Sequence, residues 1–145
     1  MESLGRKGDR QYYFHSLLDQ NTAFLADFCG KEFVALIHCN VFQKNGFEPL
    51  LRYLLESNVR YVVCAGKAAE QLNDELDELI SEGGWDEQRG EVILTTGHGG
   101  ESLDEALFQF VHLSFPEKSN PQYALLLAED KAIATALLTF LKRKF

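Results

Sequence analysis

The glycine-rich stretch at residues 95–101, Thr-Thr-Gly-His-Gly-Gly-Glu, has residue types that a small-ligand site needs. Its three glycines let the backbone approach a ligand closely. A helix is predicted to begin directly after it, so free N–H groups and the positive end of a helix dipole point into the loop. The imidazole of His98 is a candidate general acid or base. The predicted ligand-binding residues of this loop are Thr96, Gly97, His98, Gly99 and Gly100.

The alternative for this loop is a plain turn between a strand and a helix. It contains neither G-x-G-x-x-G nor G-x-x-x-x-G-K-[ST], so no nucleotide-binding pattern is met. Glu101 would also repel a phosphate group. The loop after the first predicted strand is poor in the hydroxyl groups that would hold a flavin phosphate, and no cofactor is predicted.

Three further candidates follow other predicted strands. Asn40 and Lys67 follow the first and second strands and are predicted to bind a ligand. Lys67 opens a helix, where the dipole favours anions, so a cation there indicates an anionic partner nearby. Asp130 follows the fourth strand and is the second catalytic candidate, because its carboxylate could orient His98. Its alternative role is the N-cap of the last helix.

The cysteines and histidines indicate no metal centre. The chain has an odd number of cysteines, Cys29, Cys39 and Cys64, and no two of them have C-x-x-C spacing. This pattern favours reduced thiols over disulfides. Cys39 and Cys64 lie in apolar runs, so a core role is favoured over a thiol–imidazole pair with His98. No two histidines have the spacing of a metal site, and none is predicted.

The elements that must position these residues alternate along the chain. Four continuous apolar runs predict strands buried on both faces, at residues 33–39, 61–65, 92–96 and 124–128. Helical stripes follow each strand, which predicts parallel crossovers. We expect one α/β domain over residues 1–145, a small three-layer sandwich with a mostly parallel four-stranded sheet. Its predicted type is Rossmann-like or flavodoxin-like, with strand order 2-1-3-4.

Local signals set the predicted helix ends and the N-terminal region. Ser102 and Glu105 form a capping box for the third helix, and Gly83-Gly84 ends the second. Residues 11–31 are expected to form a helical segment that packs on the sheet, after a frayed terminus over residues 1–10.

The net charge of −8 is localised. Residues 70–91 contain nine acidic side chains and one basic one, and the remaining 123 residues contain thirteen of each. This balance counts against nucleic acid and against an anionic membrane surface as partners. No signal peptide or membrane span is recognisable, so a cytoplasmic protein is expected. The residues predicted for an interaction surface are Asp74, Asp77, Glu78 and Trp85. Trp85 alternatively folds back on the helix end.

Several features over residues 33–127 resemble a small bacterial cytosolic domain family of unknown function. They are an apolar first strand, a second strand that ends in Ala65-Gly66, a third strand that leads into Thr95 to His98, and the later residues Glu101, Leu103, Glu105, Phe108, Phe110 and His112. The loop departs from that family's pattern at Gly97 and at Gly99-Gly100, where bulkier or acidic residues are usual. The resemblance implies no activity.

Two functions fit these observations. The first is a non-catalytic binding or interaction domain, whose acidic segment 70–91 neutralises or regulates a basic protein partner. The second is a small enzyme or ligand-sensing domain with a site around His98, Lys67 and Asp130. Homodimer formation is left open by the sequence, because exposed edge strands or phenylalanine-rich helix faces can pair.

Overall fold

A computed structural model describes residues 1–19, 22–28, 30–90, 92–116 and 119–143. The chain is an α/β protein with a six-stranded mixed sheet of order β1-β2-β6-β3-β4-β5. The strands are β1 (Glu2–Lys7), β2 (Arg10–Ser16), β3 (Phe33–His38), β4 (Val59–Ala65), β5 (Leu94–Gly97) and β6 (Tyr123–Ala128). The α-helices are α1 (Lys44–Glu56), α2 (Ala69–Gly83), α3 (Trp85–Arg89), α4 (Leu103–Phe108) and α5 (Lys131–Leu141). A 3-10 helix covers Thr22–Phe28, and a π-helical turn at Gln109–Leu113 extends α4.

Helices cover both faces of the sheet because the strands are apolar on both faces. Along β3, Phe33, Ala35 and Ile37 face α1, α2 and the 3-10 helix. Val34 and Leu36 face α4 and α5. Successive strand side chains point to opposite faces, so one continuous apolar run supplies two cores. The architecture therefore has three layers.

The predicted N-cap at Ser102 and the predicted helix end at Gly83-Gly84 are confirmed. Ser102 Oγ accepts a hydrogen bond from the Glu105 N–H at 3.2 Å at the start of α4. Gly84 has φ 62° at the end of α2, a left-handed conformation that glycine adopts without steric cost.

The prediction for the N-terminal region is wrong. Residues 2–16 form a β-hairpin in place of a frayed terminus and the start of a helix. Gly8, with φ 60°, lies in its turn. In β2, Tyr12 and Phe14 pack on one core and Tyr13 packs on the other, so both faces of this strand are covered. Within the described part of residues 11–31, the helical structure is the short 3-10 helix at Thr22–Phe28.

The predicted strand number and order also differ from the structure. All four predicted strands are present and parallel, and β2 adds a fifth parallel strand, with β1 antiparallel at the edge. In the numbering of the prediction, those four run 4-1-2-3 and not 2-1-3-4. The last strand, β6, inserts between β2 and β3. β2, which was not predicted, pairs in parallel with β6 from Gln11 to Ser16. This pairing accounts for the position of β6.

Candidate functional site

The carboxyl ends of the five parallel strands lie at one edge of the sheet. The predicted ligand-binding residues lie at three of these ends, and the catalytic candidate Asp130 follows a fourth, so all of them share this edge. Ligands of open parallel sheets bind at this edge, which makes it the candidate site. The side-chain geometry decides whether the residues there act together.

His98 is held inside its own loop. Its backbone N–H donates to the Cys64 carbonyl at 2.9 Å. Its ring contacts Thr96 Oγ1 at 3.0 Å through Nε2 and the Glu101 carboxylate through Nδ1. The side chain is 11% exposed. Both ring nitrogens are therefore engaged by local partners that close the loop.

The glycines of the loop make room for Glu70, a residue of α2. A Cβ at Gly97 would lie 2.9 Å from both carboxylate oxygens of Glu70. The Gly99 N–H points at Glu70 Oε1, 3.4 Å away. The carboxylate thus occupies the position from which an anionic ligand would meet the loop backbone. This contact was not predicted from the sequence, where its only signal is the place of Glu70 in the first turn of the helix after β4.

Asn40 links three strand ends. Its Oδ1 accepts a hydrogen bond from the Lys67 N–H at 3.1 Å. Its own N–H donates to Glu129 Oε1 at 3.4 Å. These hydrogen bonds connect the loops after β3, β4 and β6. Lys67 takes part through its backbone N–H, and its side chain is exposed to solvent.

Asp130 and His98 are not brought together. Asp130 Oδ1 accepts a hydrogen bond from the Ala132 N–H at 2.8 Å, which makes it the N-cap of α5. Asp130 follows β6 and His98 follows β5, and β3 and β4 lie between those strands. Three strand spacings amount to roughly 14 Å. In the predicted order these strands were neighbours, so the corrected order removes the basis for a direct His98–Asp130 contact.

The two described cysteines are core residues. Cys39 and Cys64 are free thiols with no solvent exposure, and Cys29 lies outside the described residues. Burial, reinforced by the Glu129 charge, raises the pKa of Cys39 to about 11. Burial is also the main cause that raises the pKa of Cys64. Because the thiolate is the nucleophile, neither group is prepared for thiol–imidazole chemistry.

A thiol-labelling experiment checks this assignment. At about pH 8, a disulfide reagent such as DTNB should leave Cys39 and Cys64 unlabelled in the native protein and label both after denaturation. Peptide mass spectrometry locates the labels and separates these residues from Cys29. Rapid native labelling of Cys39 would contradict its buried placement.

His38 makes stability depend on pH. Burial lowers the pKa of this half-buried histidine below its ordinary 6.5, although the charges of Glu129 and Asp130 oppose the shift. A lowered folded pKa means that protonation favours the unfolded chain, so this contribution is present above pH 6.5 and lost as the pH falls below it. Urea unfolding across that range should show a smaller loss of stability for His38→Gln than for the unmodified protein. Equal losses would contradict the assignment.

The acidic helix presents one group of carboxylates to solvent. Asp74, Asp77 and Glu78 of α2 are exposed. Asp77 also accepts a hydrogen bond from Thr95 Oγ1 at 2.5 Å, which fastens α2 to β5. Glu75 of the same helix is buried. Trp85 is half-buried, packs on the core beneath α2 and lies against Gly83. This placement agrees with the alternative role of Trp85, in which its side chain folds back on the end of the helix.

One family model matches residues 13–144 of the chain. It describes a domain of unknown function, DUF7684. The chain belongs to this family. The expectation of an uncharacterised family is thereby confirmed, while bacterial origin stays a prediction. No curated protein and no solved structure matches the chain.

Within residues 1–19, 22–28, 30–90, 92–116 and 119–143, no three His, Cys, Asp or Glu side chains are grouped as a metal site requires. In the same part of the chain, no helix has both the length and the apolar character of a membrane span.

Proposed function

We propose that this chain is a non-catalytic binding domain that recognises a basic protein partner through an acidic surface. The acidic surface is defined by the side chains of Asp74, Asp77 and Glu78. The observation that supports it is the concentration of the entire net charge of −8 into residues 70–91, with these three carboxylates exposed on one helix. A dense anionic patch attracts cationic partners and speeds their association, an effect that salt screens.

The arrangement of α2 supports the same function. The pKa of the Arg52 guanidinium in α1 is raised chiefly by its hydrogen bonds with Glu48. The negative charges of Glu75 and Glu82 on α2 raise it further. Those two acids therefore face a cation of the chain itself. The three acids of the acidic surface are exposed on the same helix, so their charge is available to a partner.

The alternative, a small enzyme or ligand sensor around His98, Lys67 and Asp130, has weaker support. His98 is engaged at both ring nitrogens, Asp130 caps α5, and the two follow strands that are not neighbours. Glu70 fills the loop. A Rossmann-like or flavodoxin-like relationship, a cytoplasmic location and the absence of a nucleic-acid partner stay predictions.

Binding of a flexible cationic peptide tests the proposal. The probe is a peptide of alternating lysine and glycine, measured by fluorescence anisotropy at low salt. Neutralising the acidic surface with Asp74→Asn, Asp77→Asn and Glu78→Gln should weaken binding about tenfold. The matched control removes three exposed acids elsewhere, with Glu2→Gln, Asp9→Asn and Asp104→Asn.

The control changes the net charge by the same amount and should weaken binding about threefold or less, because those charges are dispersed. Equal losses in both triple variants would overturn the proposal, since binding would then follow total charge and not the acidic surface.

A further inference from the structure

The sheet has an open edge beside the acidic surface. β5 is the last strand in the sheet order, and in the described part of the chain its only strand partner is β4. The other outer strand, β1, is distant, at the opposite end of the sheet. An unpaired strand edge presents N–H and C=O groups to which another extended chain can hydrogen-bond.

The register shows which groups face outward. The His98 N–H donates to the Cys64 carbonyl of β4. Along a strand, successive N–H groups point in alternating directions, so the N–H groups of Thr95 and Gly97 point away from β4. Both residues lie within β5. The outer edge therefore offers two donors with the spacing of a strand ladder.

A cleft of about 470 Å³ adjoins this edge, between β5, the end of α2 and α3. It combines apolar and acidic side chains. Val92 is 57% exposed there, beside Ile93 and Leu94. The carboxylates that line it are Asp77, Asp86 and Glu87. Asp86 also accepts the Ile93 N–H at 2.8 Å, which holds the chain that leads into β5.

We propose that an extended, basic segment of the partner protein adds as a strand alongside β5. Its backbone pairs with Thr95 and Gly97, its lysine or arginine side chains meet Asp77 and Glu87, and an apolar side chain contacts Val92. This inference rests on the proposed function and gives it a binding mode. Main-chain pairing supplies affinity, and alternate side chains supply selectivity.

A second copy of this chain is a poorer occupant of the edge. Pairing of two β5 strands would bring two acidic segments, each with a net charge of −8, against each other. Like charges at an interface are repulsive, whereas a basic segment gains attraction at the same place.

The test uses a peptide of alternating lysine and valine on the full chain, with amide hydrogen exchange followed by NMR. Strand addition predicts that saturating peptide slows exchange at the Thr95 and Gly97 amides at least tenfold. Thr95→Pro removes one outward N–H and should weaken binding at least fivefold. Thr95→Val loses the same hydroxyl, and with it the hydrogen bond to Asp77, but keeps the N–H, so it should bind the peptide more tightly than Thr95→Pro.

The outcomes separate the two proposals. Binding with slowed exchange at both amides supports strand addition. Binding through the acidic surface without slowed exchange at Thr95 and Gly97 overturns strand addition and leaves the proposed function intact. Absence of binding by both the lysine–valine and the lysine–glycine peptides overturns both. The exchange measurement needs no variant, so it decides the matter even if Thr95→Pro does not fold.

Discussion

Replacing Gly66 with alanine is expected to destabilise the protein by about 3 kcal/mol or more. Gly66 joins β4 to α2 with φ +89°, a conformation that side chains rarely adopt. An alanine Cβ would also lie 2.3 Å from the Cys39 carbonyl oxygen. That carbonyl accepts the Ala68 N–H at 3.1 Å, so it cannot move without breaking the start of α2.

Urea denaturation measures this change, and Gly100→Ala is its matched control. Gly100 lies in a loop at the same edge of the sheet, and a Cβ built there meets no atom within 4 Å. The control should change stability by about 0.5 kcal/mol or less. If the two alanine variants were equally stable, the close approach of Gly66 to Cys39 would be wrong.

Replacing Arg10 with alanine is expected to cost about 3 kcal/mol. Arg10 begins β2 and is 4% exposed. Its guanidinium donates to the Pro121 carbonyl at 3.0 Å, to Ser114 Oγ at 2.9 Å and to the Ser114 carbonyl at 3.2 Å. It also stacks over the Phe115 ring at 4.4 Å. The substitution would leave buried acceptors without these donors and open a cavity beneath the ring.

The control for this prediction is Arg6→Ala in the neighbouring strand β1. Arg6 is exposed, so its removal should change the free energy of unfolding by about 0.5 kcal/mol or less. Thermal denaturation of both variants separates the effect of a buried network from the loss of one positive charge. A small effect of Arg10→Ala would contradict its role in joining β2 to the segment before β6.

Local patterns predicted most elements of the fold, and long-range pairing was the part they could not supply. Apolar runs locate β3, β4 and β6, and the Ser102 capping box locates the start of α4, because these signals depend on neighbouring residues alone. Strand order depends on which edges meet in three dimensions. β2 was missed because its apolar run is only three residues long, Tyr12 to Phe14, between the polar Gln11 and His15. Without β2 the position of β6 could not be inferred.

The same limit explains the candidate site. The sequence placed Asn40, Lys67, His98 and Asp130 at one sheet edge, since all follow parallel strands. The distances between these residues could not be inferred without the strand order. The contacts that engage His98 come from Thr96 and Glu101 nearby in the chain, whereas Glu70 reaches the loop from another helix. The N-cap role of Asp130 was open to prediction because an aspartate before a helix can cap it locally.

An NMR titration of the full chain with the lysine–glycine peptide locates the surface that binds a basic partner. If the acidic surface binds a basic partner, the backbone amides with the largest shifts should cluster in α2 and α3, around Asp74, Asp77 and Glu78. Shifts centred instead on residues 97–101, with α2 unchanged, would contradict the account and favour a ligand site at the glycine-rich loop.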